Sequence, residues 1–208
     1  MGWIGTIKRR VFGGTPTYDG AGLGRRTLAW TVANPGAVAA LAYTQEQLRA
    51  KSRDLVRRNA WAAAGIEAFV ANTIGTGITP KPRHPDDGVR RQLQELWEDW
   101  CDDADADGRT DLYGLQALIC RAVYESGECF VRLRPRRPED GLAVPLQLQL
   151  LEPEFVPHDK HEQLGGGNVI RAGIEFNSLG QRAAYWMHRA HPGEGSTQSG
   201  VFNDLQRV

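Results

Sequence analysis

Cysteine is scarce in this chain of 208 residues: Cys101, Cys120 and Cys129 are the only three, and none belongs to a CxxC pair. An odd number cannot all pair within one chain, and without a CxxC pair reduced packing thiols in a cytosol-like compartment are expected. No apolar run approaches the roughly 20 residues that a membrane span needs, so no membrane partner is expected. The opening residues, MGWIGTIKRR, lack the apolar segment of a secretory signal. An excess of one sign of charge is missing as well. Lys and Arg number 25 and Asp and Glu 25. That balance argues against a protein that grips nucleic acid by releasing many counterions, although a local basic face remains compatible with it.

Catalytic constellations are equally scarce. There is no GxSxG elbow, and Ser126-Gly127-Glu128 reads better as a helix end leading into a strand. Gly20-Ala21-Gly22-Leu23-Gly24 lacks the final spacing of a dinucleotide loop, and Gly75-Thr76-Gly77 lacks the lysine of a P-loop. The expectation is a non-enzyme with no catalytic residue and no cofactor. Two motifs invite a metal. His158/His161 and His188/His191 are both HxxH, but they stand in loop and strand-end sequence with no third ligand at usable spacing, and read as surface histidines. Asp103-Ala104-Asp105-Ala106-Asp107-Gly108 fills the first six positions of an EF-hand loop. The twelfth position, which must supply a bidentate carboxylate, is Gly114. The segment therefore reads as a solvated acidic linker with no metal. A small calcium-binding regulatory domain built on this loop is the rival reading.

What the chain does hold is punctuated periodicity. Residues 1–40 are rich in Gly and Pro, with Trp3, Phe12, Tyr18 and Trp30 widely spaced, and read as an extended flexible arm. Residues 41–208 read as one α+β domain. Thr44 and Gln47 form a capping-box pattern that starts a long helix near Gln45, expected to run to about Asn72 before Gly75 stops it. A second helix starts near Asp86, with Val89, Leu93, Leu96, Trp97 and Trp100 as its buried stripe. Asp111 caps a third, with Leu112, Leu115, Ile119 and Ala122 inward. After Gly127 the period changes to two. Strands 129–134 and 146–150 make a first antiparallel hairpin, and VIRAGIEF and RAAYWMH make a second around Asn177-Ser178-Leu179-Gly180.

The first helix, LRAKSRDLVRRNAWA at 48–62, has a divided surface. At about 100° per residue, Leu48, Leu55, Ala62 and Ile66 fall on one line, expected to seek a core. Arg49, Arg53 and Arg57 stack at i, i+4 and i+8 on another, with Arg58 at its edge. These four arginines are the candidate contact residues. The stripe is open to three readings: a solvated face, a contact with acidic residues of a neighbouring subunit, or contact with DNA phosphates. A DNA-binding module using the Arg49/Arg53/Arg57 face is a further rival reading of the whole.

Taken together, Leu48-Arg49, Ser52-Arg53-Asp54-Leu55, Arg57 and Asn59, then Gly75-Thr76-Gly77-Ile78, then Gly127-Glu128 and Phe130-Val131-Arg132, resemble the lambda family of tailed-phage portal proteins. PLQLQLLEP at 145–153 and GIEFNSLGQRAAYW at 173–186 extend the resemblance, with Asn177 where the family usually carries Asp. It covers roughly 25–191. The resemblance implies a wing-side α+β region of a structural protein, with the stem and clip lying beyond Val208 and the domain incomplete at that end. It also implies self-assembly into a ring, a dodecamer in the full-length family, at the portal vertex of the virion capsid, built in the bacterial host cytoplasm. The implied partners are the major capsid protein, the terminase large subunit, head–tail connector proteins and double-stranded DNA in the channel. The isolated 208 residues are expected to form a monomer or a concentration-dependent small oligomer rather than a closed ring, because exposed ion pairs contribute only about 0–1 kcal/mol each.

Overall fold

The computed structural model describes Gly36, Leu41, 44–193 and 205–208. The chain divides into two units, Met1–Ala40 and Leu41–Val208. The expected arm falls in the first unit and lies outside the described residues. The second unit is α+β, as expected from the change of period at Gly127.

Between Gln45 and Ser126, four helices stand where three were expected. The long first helix is broken into α1, Gln45–Arg58, and α2, Ala60–Ile74. Asn59 makes the break. It adopts an extended conformation, its amide still donates to Leu55, and its side-chain oxygen accepts from the Trp61 and Ala62 amides, starting a new helix. At the head of α1, Thr44 holds the cap position without the side-chain bond that the Thr44/Gln47 pattern predicts. Gly75 ends α2, as expected, but at φ +56° and ψ −120° rather than in the left-handed helical conformation. Helices α3, Asp87–Asp103, and α4, Leu112–Ser126, start where predicted, with the Asp86 and Asp111 side chains accepting from amides of the first turn. Gly127 closes α4 in the left-handed conformation, φ +87°.

The stripe of α3 is rotated from expectation. Cys101 is buried and Trp97 and Trp100 pack on the core, whereas Leu93 and Leu96 are exposed. That core gathers Cys101, Ala104, Leu112 and Leu115 beneath Leu148 and Leu150 of the sheet. A second cluster, Val56, Ile66 and Val70, fastens α1 and α2 to Ala117 and Cys120 of α4. Helix α4 is thus the element on which the other three rest.

Strands β1, Phe130–Pro135, and β2, Leu146–Leu151, form the expected hairpin, in the register Leu133↔Leu148. The second expected hairpin is a five-stranded meander: β3 Glu162–Gln163, β4 Val169–Arg171, β5 Ile174–Phe176, β6 Arg182–His188 and β7 Leu205–Arg207. VIRAGIEF is two strands because Ala172 and Gly173, at φ +50° and +75°, form a tight turn between them. A Cβ on Gly173 would also press on Val156 and the Pro157 carbonyl. The turn at Asn177 is as expected: its side-chain oxygen accepts from the Leu179 and Gln181 amides. Leu151, Val156 and Met187 join the hairpin to the meander, with Phe130 edge-on to Tyr185 at 5.6 Å.

Candidate functional site

The acidic motif is structural. Ala104 is fully buried and Asp105 is 5% exposed, so the expected solvated linker is instead a clip on the outer edge of β2. Leu148 donates to the Ala104 carbonyl at 2.7 Å and Ala106 donates to that of Leu148 at 2.9 Å. Both Asp105 carboxylate oxygens are taken, one by the Asp107 amide and the other by those of Arg109 and Thr110. Gln147 reaches across to donate to the carbonyls of Asp103 and Asp105. A Cβ on Gly114 would overlap Thr110 Oγ1, so a larger residue at the twelfth position would have to displace that side chain. The expected outcome of a calorimetric calcium titration is dilution heat alone. A micromolar dissociation constant would contradict this assignment.

The arginine stripe divides in two. Arg49, with 1% of its side chain exposed, turns inward and donates to Glu128 at 3.0 Å and to Glu154 at 3.3 Å. Arg53 bridges both oxygens of Glu154, pairs with Glu152 at 3.0 Å, and donates through Nε to the Ser126 hydroxyl. Gln45 adds a bond to Glu128, and Ser52 donates to the Glu125 carbonyl at the end of α4. Arg57 and Arg58 are exposed, Arg58 pairing with Asp54 of its own helix. The line expected to seek a core is split at Asn59: Leu48 and Leu55 are each 54% exposed, whereas Ile66 beyond the break is buried as expected. The physical reason is convergence. Glu128, Glu152 and Glu154, all C-terminal to α4, meet beneath α1 and supply a counter-charge that a buried guanidinium needs.

His161 is exposed, as expected, whereas His158 and His191 are half-buried and flank this cluster. His158 Nε2 lies 3.5 Å from Glu128 and His191 Nε2 lies 3.7 Å from Glu152. Glu152, Glu154 and His191 bring ligand atoms within 4.8 Å of one another, a grouping that HxxH spacing does not reveal. Arg53 already sits between the two carboxylates, so the arrangement neutralises their charge without an ion. The cavity beside it, about 440 Å³, is lined by Gln45, Arg49, Glu154, Val156, His158 and His188.

Two carboxylates are held below their ordinary range. Burial would raise Glu154, but a bond from its own amide and the Arg49 and Arg53 charges outweigh it. Glu175, buried in the meander, is pulled to about 2, first by the Arg207 guanidinium, against burial, with Asn168 and Trp186 adding hydrogen bonds. Each folded value lies below the unfolded one, so the unfolded chain binds more protons in acid. Their contribution is complete above the unfolded carboxylate range, about 4, and is lost as pH falls through the folded values. The midpoint of thermal unfolding should hold from pH 7 to about 5 and then fall steadily. Glu175→Gln should flatten the acid limb toward pH 2. An acid limb as steep as that of the parent would contradict the assignment.

The motifs thus have distinct structural duties. Arg49 and Arg53 tie α1 to the β layer, Gly127-Glu128 turns the chain out of α4 and supplies the facing carboxylate, and Gly75-Thr76-Gly77 folds the end of α2 under Tyr113. The same region is shared with a probable portal protein of the Halomonas phage phiHAP-1, 27% identical over 192 residues, or 86% of this chain. The chain spans 36% of that relative's length. Residues 23–208 match the phage portal proteins of the lambda family, structural rather than catalytic proteins, and the chain belongs to that family.

Proposed function

We propose that this chain is the wing-side part of a portal subunit that forms, with copies of itself, the ring at the capsid vertex through which DNA is packaged and ejected. Family membership over 23–208 carries this reading. In it the terminase large subunit, the major capsid protein and head–tail connector proteins dock on the ring, which is assembled in the host cytoplasm and retained in the virion. The buried Arg49–Glu128–Glu154 tie supports a scaffolding role, since it spends its charged groups on rigidity and leaves Arg57, Arg58 and Lys51 as the outward cations of α1. With only Lys51, Arg57 and Arg58 outward on α1 and a neutral chain, this helix gives DNA little to hold, which favours the ring over a DNA-binding module.

Interrupting the gene in the phage or prophage that encodes it tests the proposal. The expected result is capsids without packaged, nuclease-resistant DNA, restored when the gene is supplied in trans. Normal yields of DNA-filled particles would overturn the reading.

A further inference from the structure

Two helices each leave an apolar edge bare and flank it with charge of opposite sign. On α1, Leu48, Lys51, Leu55 and Arg58 follow the i, i+3, i+7, i+10 spacing of a coiled-coil seam. Both leucines are 54% exposed, and Lys51 has no ion partner among the described residues. On α3, Leu93, Leu96 and Asp103 fall at the corresponding i, i+3 and i+10 positions, the two leucines 46% and 44% exposed, while Trp100 at i+7 leans onto the core. Asp99, one turn from Leu96, and Asp103 are exposed and without cation partners among the described residues.

A soluble helix ordinarily turns its apolar stripe to a core. Here α1 and α3 already use other faces for that. Arg49 and Val56 of α1 are buried toward α4 and the β layer, and Trp97 and Cys101 of α3 pack on the core beneath α4. Both edges are therefore left over after the chain has folded.

We propose that α1 of one copy docks along α3 of a second copy, Leu48 and Leu55 against Leu93 and Leu96, with Lys51 and Arg58 meeting Asp99 and Asp103. Charge selects this pairing. Two α1 edges repel each other, as do two α3 edges, so an isologous contact through either is disfavoured and the α1–α3 contact is heterologous. Heterologous contacts repeat from copy to copy and form a ring when the rotation between copies closes, and the choice of a second copy as occupant rests on the portal reading.

Sedimentation velocity of the 208-residue chain, from micromolar to submillimolar concentration, tests it through charge reversal. The wild-type chain should associate weakly and less so at high salt. Lys51→Glu and Asp99→Lys should each weaken association by roughly tenfold. The two together in one chain should restore it to within about threefold, because each contact then again joins an acid to a base, with the two signs exchanged. Both positions are exposed, so helix content should be unchanged by circular dichroism. Single variants without effect, or a double variant weaker than either single, would overturn the contact. Association that ignores both reversals would move the interface elsewhere and leave the portal reading intact. A chain that stays monomeric throughout also overturns the contact, and the portal reading is then decided separately by the DNA-packaging experiment.

Discussion

Replacing Gly77 with alanine should lower the unfolding free energy by roughly 2–5 kcal/mol, read as a lower urea midpoint at unchanged slope. Two effects add. Gly77 sits at φ +85°, a conformation that costs an L-residue about 1–2 kcal/mol. Its missing side chain is also where Tyr113 lies: a Cβ would overlap the ring at Cδ1, with Cε1 only 2.9 Å away. Overpacking of that kind costs about 1–3 kcal/mol, and the ring has little room to retreat because it packs on the Cys101–Leu115 core. Gly75→Ala is the control. Its φ is +56° and its ψ −120°, but nothing lies within 4 Å of the added carbon, so only the backbone cost of about 1–3 kcal/mol applies. Equal losses for the two variants would show that Tyr113 does not hold the GTG segment down.

Arg49→Met should cost roughly 2–3 kcal/mol, whereas Arg57→Met, at the exposed end of the same stripe, should stay within about 0.5 kcal/mol. The contrast follows from burial. Breaking a fully buried pair costs about 3–5 kcal/mol because it strands a charge. Here Glu128 keeps 35% of its side chain in water and Glu154 keeps Arg53, so the loss is smaller. A cycle with Glu128→Gln should show coupling, since Arg49 and Glu128 touch at 3.0 Å. Equal losses at Arg49 and Arg57 would contradict the division of the stripe.

Local punctuation made much of the fold legible. Asp86 and Asp111 as caps, Gly75 and Gly127 as stops, and the Asn177–Gly180 turn each act on neighbours within four residues, so the sequence displays both halves of the interaction. The break at Asn59 was also locally encoded, as an Asn before an alanine-rich helix start. It was masked because apolar periodicity runs across it from Leu55 to Ile66. Ala172-Gly173 was hidden in the same way, inside what reads as one strand.

The site was less legible because its partners are distant. Arg49 meets Glu128 and Glu154 across 79 and 105 residues, and no helical wheel shows that three carboxylates gather under a basic face. Hydropathy alone puts Leu48 and Leu55 inside. Charge pairing put Arg49 there instead. The acidic loop misled for a related reason: Asp105 resembles a calcium ligand because a carboxylate that collects backbone amides and one that collects a cation need the same oxygens.

Immunogold labelling of intact phage particles with an antibody to this chain tests its assignment to the portal most directly. The account predicts label at a single vertex, where the tail joins the head. Label spread over the capsid shell, or absent from purified particles, would contradict it.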